Sequence, residues 1–397
     1  MSRIDDLIAE HCPSGVEFKS LGELGAIFSG LTGKSKTDFS NGNARYVSYM
    51  NIFNNIAVDL GIGDFVIVGA EERQNSLALG DILFTGSSET PDEVGMSSVV
   101  DHIPSEKIYL NSFCFGYRFT DNGLFLPGFS KYVFRGDFVR KQIVRSASGV
   151  TRFNISKKRF LETHIPIPPI EVQREIVKIL DTFTELEAEL EAELEARRKQ
   201  YQYYRDELLS FDGREDVQWS PLGDVALNLD SRRRPVTKSA RAAGDIPYYG
   251  ASGIVDYVSE YIFDGDYLLV SEDGANLLAR STPIAFSAIG KSWVNNHAHV
   301  LQFNSYAERR FVEIYLNSID LSPYVSGAAQ PKLNQANLNR IPIPVPEISE
   351  QIRIVALLDK FDALINDIFS GLPAEIAARR QQYAYYRDKL LSFKEAA

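Results

Sequence analysis

ARRKQYQYYRDELLSF at Ala196–Phe211 returns as ARRQQYAYYRDKLLSF at Ala378–Phe393, with thirteen of sixteen positions identical at a fixed offset of 182. The approach to each block repeats as well. Ile165-Pro166-Ile167-Pro168, Gln173, Ile176-Val177, Leu180-Asp181 and Phe183 answer to Ile341-Pro342-Ile343-Pro344, Gln351, Ile354-Val355, Leu358-Asp359 and Phe361. A third echo lies further upstream, Val16-Glu17-Phe18 with Leu21-Gly22-Glu23 against Val217-Gln218-Trp219 with Leu222-Gly223-Asp224. Repetition on this scale means one unit of roughly 200 residues written twice, a variable globular part followed by a similar helical part.

The spacing of apolar residues in the helical part predicts a long helix. Val172, Ile176, Ile179, Phe183, Leu186, Leu190, Leu194, Arg197, Tyr201, Tyr204, Leu208 and Phe211 follow one another in steps of four and three, with one four-four step at Leu186, Leu190 and Leu194. That is a coiled-coil seam with a stutter, and at ~1.5 Å per residue it makes a spacer of about 60 Å. The prolines of the Ile-Pro-Ile-Pro run hold their neighbours extended, so this run is a strap that ends the globular part. The second helix repeats the seam through Ile348, Ile352, Val355, Phe361, Ile365 and onward to Phe393, but carries Ser370-Gly371-Leu372-Pro373, which should break or kink it. Two such stripes in one chain need partners, and pairing with each other in antiparallel fashion is the economical solution.

The globular parts read as mixed α/β and rich in strands. β-prone runs such as 64–68, 81–85, 267–270 and 299–303 are punctuated by Gly, Asn and Asp, and 309–319 reads as a helix. A shared Gly-Asp-x-Leu, Gly80–Leu83 against Gly265–Leu268, points to a common fold under diverged surfaces. With 397 residues, 44% apolar and 24% charged, the chain can bury real cores, which excludes intrinsic disorder. The opening Met1–Asp6 is acidic and no stretch reaches the ~18 apolar residues of a membrane span, so the expectation is a cytoplasmic protein without a membrane partner. Two cysteines, Cys12 and Cys114, build neither a disulfide framework nor a multi-cysteine zinc site.

A net charge of −11 argues against indiscriminate coating of nucleic acid, but the charge is unevenly spread. Between Lys131 and Phe160 nine residues are basic (Lys131, Arg135, Arg140, Lys141, Arg145, Arg152, Lys157, Lys158, Arg159) against the single acid Asp137. A second cluster, Arg232, Arg233, Arg234, Lys238 and Arg241, encloses no acid. Two separate basic segments on an acidic chain predict two local phosphate contacts, the alternative being solvated charge runs. Catalytic motifs fail in turn. Gly33-Lys34-Ser35 ends like a phosphate-cradling loop, but the first glycine would fall on Phe28. Lys34 and Lys36 are better read as DNA-backbone contacts. His297 and His299, two apart on a strand, would face one way yet lack a third metal ligand nearby, which favours a base-edge contact or a buried pair. Pro91-Asp92-Glu93 begins like a nuclease motif without the Glu-x-Lys that should follow, and no Asn-Pro-Pro-Tyr or Asn-Pro-Pro-Phe of adenine methylation occurs.

The doubled strap, the Gln173 and Gln351 helix starts with Leu-Asp-x-Phe, and the Arg-Arg-x-Gln-Tyr-x-Tyr-Tyr-Arg-Asp-x-Leu-Leu-x-Phe endings resemble the specificity subunit of bacterial type I restriction-modification systems, in order and over the whole chain. The resemblance implies target-recognition domains at residues 1–164 and 212–340, helical spacers at 165–211 and 341–397, and an internal pseudo-two-fold repeat whose two long helices pair as an antiparallel coiled coil. It implies a non-catalytic subunit that reads a bipartite site on double-stranded DNA and holds two methyltransferase subunits, with restriction subunits joining the same core. The chain itself would carry no cofactor and no metal; S-adenosylmethionine belongs to the methyltransferase partner, ATP and magnesium to the restriction partner. Candidate DNA contacts are Lys34, Lys36, Arg140, Lys141, Arg145, Arg152, Lys157 and Lys158 in the first reader, and Arg232, Arg233, Arg234, Lys238, Gln330 and Lys332 in the second. Ser148-Gly149-Val150-Thr151-Arg152 and Ser326-Gly327-Ala328-Ala329-Gln330 hold equivalent places before the strap, as close approaches to DNA or as turns. Tyr201, Tyr204 and Arg205, with Tyr383, Tyr386 and Arg387, are candidates for the methyltransferase dock beside their packing role. The rival reading is a coiled-coil scaffold without DNA readout; a complete enzyme is disfavoured by the missing motifs.

Overall fold

The Ile-Pro-Ile-Pro straps and the upstream echoes are two arms of one feature. In the computed structural model, which describes residues 3–39, 41–61, 63–327 and 330–396 (side chains of 3–5 excepted), Glu17–Ser20 pairs antiparallel with His164–Ile167, and Gln218–Pro221 with Pro342–Val345. Each globular part thus leaves and rejoins the rest of the chain at a two-stranded clasp. Leu21 N–H donates to Thr163 O at 2.9 Å and Leu222 N–H to Ile341 O at 2.8 Å, closing the two clasps in the same way. Met1, Ser2, Ala328 and Ala329, which belong to runs singled out in the sequence, lie outside the described residues.

The chain divides into two compact units, Met1–Leu190 with Ile376–Ala397, and Glu191–Glu375. In the first, an antiparallel sheet runs in the order Gly25–Ser29, Cys114–Phe119, Ile82–Thr85, Ser97–Val99. Every residue of Ile82–Thr85 is buried, because both faces of this strand are covered. One face meets a core of aromatic rings, Phe84 stacked on Phe115 and edge-on to Phe134 and Phe160 at 4.8–5.5 Å, continued by Ile165, Val172, Ile176 and Leu180. The other meets Val47, Ile52 and Leu110, near the sheet Asp64–Val66, Ala44–Val47, Ile108–Leu110. In the second unit a six-stranded sheet has the order Leu227–Asn228, Ala298–Gln302, Phe263–Ser271, Ala285–Val294, Ala243–Gly250, Gly253–Val258. The helix expected at 309–319 runs from Tyr306 to Ser318, because Ser305 accepts from Glu308 N–H and Glu308 accepts from Asn304 N–H, a capping pair that fixes the earlier start.

Hydrogen-bond register overlays the two units residue by residue. Phe113 O accepts from Gly86 N–H at 3.0 Å and His297 O from Glu272 N–H at 2.8 Å, so Gly86 matches Glu272 and Ile82–Thr85 matches Leu268–Ser271. The shared Gly-Asp-x-Leu is therefore one residue out of register. Side chains alternate along a strand, so aligning on that motif would send Leu83, which packs with Val47 and Leu110, to the opposite face.

The helical part begins at a buried glutamine in both copies. Gln173 donates to Leu124 O and Pro168 O and accepts from Leu126 N–H; Gln351 donates to Pro346 O. The aspartate of Leu-Asp-x-Phe then ties the helix to the globular part. Asp181 accepts from Lys131 Nζ at 2.7 Å and Tyr132 O–H at 2.5 Å, while Asp359 accepts from Arg310 Nε at 2.7 Å and Tyr306 O–H at 2.9 Å. The first helix, Ile170–Leu208, is unbroken for 39 residues. The second is interrupted between Ile348–Asn366 and Leu372–Leu390, where Asp367 caps a turn through Phe369 and Ser370 and a Cβ on Gly371 would meet Ala363 O at 2.5 Å. Within the first unit the two helical runs are antiparallel: Phe183 lies against Tyr383 and Tyr386, and Glu187 further along reaches back to Arg380 at 2.6 Å. Ile348 and Ile352, expected on the seam, are about half exposed, since Gln351 turns its own face inward together with Val355 and Leu358.

Candidate nucleic-acid interface

The first basic segment folds into a helix, a hairpin and a short turn. Asp137–Ser146 ends beside Arg145; Ala147–Ser148 and Phe153–Ile155 form the hairpin, whose second arm adds Ser87–Ser88; Lys157–Phe160 follows. Gly149 has φ +144°, and a Cβ there would meet Arg152 O at 1.9 Å, so only glycine makes this turn; Gly327, at φ +81°, holds the same place in the second unit. Val150 at the tip is 91% exposed. Around the hairpin Lys141, Arg145, Arg152, Lys157 and Lys158 are exposed cations. Lys141 pairs with Asp137 at 2.6 Å, and Arg152 donates from Nε and Nη2 to Ser87 Oγ. Beside Arg152 opens a cavity of about 550 Å³, lined among others by Tyr49, Met50, Phe53, Ser87 and Phe113, which charge and motif reading could not single out.

Other basic residues of this segment are committed to backbone carbonyls of the protein. Arg140 is a correction: its guanidinium donates to Gly95, Asp92 and Val94 carbonyls, and burial pushes its pKa below the ordinary arginine value. Arg135 is half-buried and donates to Ser97 O and Ile52 O, and loss of solvent lowers its pKa to about 10. Arg159 donates to Ser146 and Ala147 carbonyls. Lys34 is a second correction, since its side chain is 3% exposed and bonded to Glu72 at 2.5–2.7 Å. Lys36, two residues on, is exposed.

In the second unit Arg234, Lys238 and Gln330 are exposed, and Lys332 is half exposed with Nζ 3.1 Å from Glu272. Arg232 lies over the Phe263 ring and donates to Ile262 O. Arg233 is a third correction. It donates to Glu272 at 2.6 Å and Ala298 O at 2.8 Å and lies 3.3 Å from Asp230, all within a buried cluster. The expectation that His297 and His299 face one way also fails. His297 lies in the turn before the strand, with Nδ1 2.8 Å from Asp273, whereas His299 is buried between Asp230 at 2.6 Å and Leu333 O at 2.7 Å.

Asp230, Glu272 and His299 bring three ligand-type atoms within 4.8 Å of one another. The Arg233 guanidinium and the Lys332 ammonium already supply the positive charge there, so the set does not call for a metal ion. Burial alone would raise both carboxyls; His299, Arg233 and, for Glu272, Lys332 outweigh it and hold Asp230 and Glu272 below the ordinary carboxylate range. Such groups stabilise the fold above their unfolded values near 4, and that contribution is lost as the pH falls through the folded values. We expect the melting temperature to drop on acidification below pH ~4, and Asp230→Asn to melt lower at pH 7 with a shallower acid limb. Parallel wild-type and variant profiles from pH 7 to pH 3 would exclude this role.

The helical candidates are largely packed. Tyr201 and Tyr383 are buried enough to raise their pKa values, Tyr204 and Tyr386 rest on Phe361 and Phe183, and Arg205 and Arg387 pair with Asp206 and Asp388. Tyr203 and Tyr385, each 62% exposed, are the more open faces of the two tyrosine runs. No helix of the described residues is long and apolar enough to cross a membrane.

A sequence profile described as the type I restriction modification DNA specificity domain matches the chain twice, over residues 13–196 and 214–378. A putative type I restriction enzyme specificity subunit of Haemophilus influenzae is 41% identical over 184 residues, 45% of this chain and 47% of that protein. The EcoR124I/EcoR124II specificity subunit of Escherichia coli is 35% identical over 266 residues, 60% of this chain and 64% of that protein. The matched region thus spans less than two thirds of either relative. Among solved structures, the S subunit of a type I restriction-modification system from M. genitalium superposes with a TM-score of 0.52 at 16% identity, covering 95% of this chain and 96% of that one. A chain from a study of assembly and conformational transition of the type I R-M system gives 0.67 at 17% identity, covering 96% and 98%; at these identities the likeness speaks for the fold. A profile that covers both halves of the repeat, on a fold shared almost end to end with a solved S subunit of a type I system, places this chain in the type I restriction modification DNA specificity domain family.

Proposed function

We propose that the chain is the non-catalytic, sequence-reading subunit of a cytoplasmic type I restriction-modification complex. In this reading each globular part contacts one half of a bipartite site on double-stranded DNA, and the paired helices hold two methyltransferase subunits, with restriction subunits joining them. S-adenosylmethionine is then the methyltransferase's cofactor, and ATP and magnesium those of the restriction subunits. The observation that carries the reading is the duplicated frame itself. Both units present a glycine hairpin ahead of the clasp, with exposed polar or cationic residues on or next to it: Arg145, Arg152, Lys157 and Lys158 in one, Gln330 and the half-exposed Lys332 in the other.

The test is selection of duplexes from a randomised pool by the full chain assembled with its methyltransferase partner, followed by sequencing. Two short motifs at a fixed gap are expected; no enrichment would leave a scaffold without DNA readout. Arg145→Glu, Lys157→Glu and Lys158→Glu combined should weaken binding and flatten the dependence of log affinity on log salt by about 0.9 for each phosphate left without its cation. Charge reversal at Arg233 is unsuitable for this purpose, because it would set a third carboxylate against Asp230 and Glu272. An unchanged salt slope in the triple variant would remove these residues from the interface.

A further inference from the structure

One group of positions around the hairpins has the same backbone hydrogen bonds in both units and different side chains. Asn111 Oδ1 accepts from Phe113 N–H at 2.9 Å, and Asn295 Oδ1 from His297 N–H at 2.8 Å. Phe113 O then accepts from Gly86 N–H, and His297 O from Glu272 N–H. Gly86 O accepts from Ile155 N–H at 3.1 Å, and Glu272 O from Leu333 N–H at 2.7 Å. Next along the chain Ser87 pairs with Asn154 and Asp273 with Lys332, while Ser148 pairs with Asn154 and Ser326 with Lys332. The equivalences follow without choice: Ser87 with Asp273, Phe113 with His297, Arg152 with Gln330.

Where this frame needs a residue type, both units supply it: asparagine at 111 and 295, glycine at 149 and 327. At the three positions above, the same backbone carries serine against aspartate, phenylalanine against histidine, and arginine against glutamine. Packing does not ask for the side chains at 113, 297, 152 and 330, whereas Ser87 is buried beneath Arg152 at 7% exposure. Phe113 is 66% exposed, the His297 side chain is 50% exposed, and Arg152 and Gln330 are exposed. They are nonetheless held in place. Ser87 Oγ accepts two of the five Arg152 N–H groups and leaves three for another partner, and Asp273 fixes the His297 ring. Phe113 stands at the cavity that also holds Tyr49, Met50 and Phe53.

We infer that Phe113 and Arg152 in the first unit, the latter positioned by the buried Ser87, and Asp273, His297 and Gln330 in the second, are the base-reading residues of their half-sites, an assignment that rests on the DNA-reading function proposed above. The chemistry is that of the major groove. Arg152, oriented by Ser87, offers its fork to guanine O6 and N7, and Phe113 an apolar face to a thymine methyl. Gln330 matches adenine N6 and N7, and Asp273, steadied by His297, accepts from a cytosine amino group. A common frame with interchangeable readers explains how one fold, present twice in one chain, reads two different half-sites.

The experiment is the same duplex selection, run on the full complex with single variants. Arg152→Ala should lower the preference for guanine at one position of one half-site by about tenfold to a hundredfold and leave the other half unchanged. Gln330→Ala should do the same to an adenine in the opposite half, and Arg152→Gln should move the preferred base from guanine to adenine. If the wild type enriches no bipartite motif, the DNA-reading function itself fails. If it does and the variants enrich the same motif with the same preferences, the function stands and the assignment of readers falls. Uniform weakening without a change of base preference marks phosphate contacts and also overturns it. Arg152→Lys, which keeps the charge and loses the fork, and Phe113→Leu carry the test should an alanine variant fold poorly, and melting temperatures identify that case.

Discussion

A chain ending at Phe211 is expected to sediment as a dimer at micromolar concentration. The core of the first unit is completed from the far end of the sequence. Leu391 is buried in it, Tyr383, Leu390 and Phe393 pack against it, and Asp388 Oδ1 accepts from Asp137 N–H at the start of the helix Asp137–Ser146. Truncation removes all of these, yet the fragment carries the same residue types at Tyr201, Asp206, Leu208, Leu209 and Phe211. It cannot fold them back onto itself, because Ile170–Leu208 is one continuous helix whose first turns, through Val172, Ile176 and Leu180, already lie in that core. A second copy supplies them instead, each chain completing the other with two-fold symmetry. Uncovering such apolar side chains is worth about 1.5–3 kcal/mol each, and the dimer recovers this twice. Under the proposed function the target becomes an inverted repeat of one half-motif. A monomer by sedimentation, or a dimer selecting a non-palindromic site, would contradict the exchange.

What could be read from the sequence follows from what the physics makes local. The repeat, the prolines that forbid helix in the straps, and the Gly371-Leu372-Pro373 interruption are properties of neighbouring residues, and each has its counterpart in the fold. Register and charge commitment are not local. The Gly-Asp-x-Leu match points to the common fold, but aligning the two sheets on it would set them one residue out, because a period-two strand gives no warning of a slip until its partner is known. Arg140 and Lys157 are alike as letters in a basic run, but the carbonyls of 92–95 wrap one and leave the other in solvent. Arg233, Asp230, Glu272 and His299 are dispersed over seventy residues of chain and meet only when the second sheet forms. The positions proposed as readers, 113 and 152, had one faint signal, the recurrence of Asn-x-Phe and Asn-x-His ahead of matching strands, which becomes legible only once the shared turn is seen.

Exchange of residues 222–341 for the corresponding segment of another family member is expected to change one half of the selected motif completely and leave the other half and the gap as they are. The clasp makes this cut the favourable one. A cut at 212 and 340 would take the arm Gln218–Pro221 away from its partner Pro342–Val345, whereas cutting at Leu222 and Ile341 preserves both arms and the main-chain bond that joins those two residues. Two demands remain on the incoming segment. Its inner face must fill the core beside Leu209, Phe211, Ile354 and Leu358, where Phe311, Ile314 and Leu338 now sit. It must also bring a cation and a hydroxyl to Asp359, as Arg310 and Tyr306 do, because an unpaired half-buried carboxylate at the root of the helix would loosen the unit. Under the proposed function the first half-site belongs to the other unit, with Arg152 and its neighbours on their own frame, so its base preferences have no cause to move. Selection on the exchanged complex decides the matter: altered bases in both halves would mean that the two readers are not separate, and an altered gap would mean that the globular part, rather than the helices, sets the spacing.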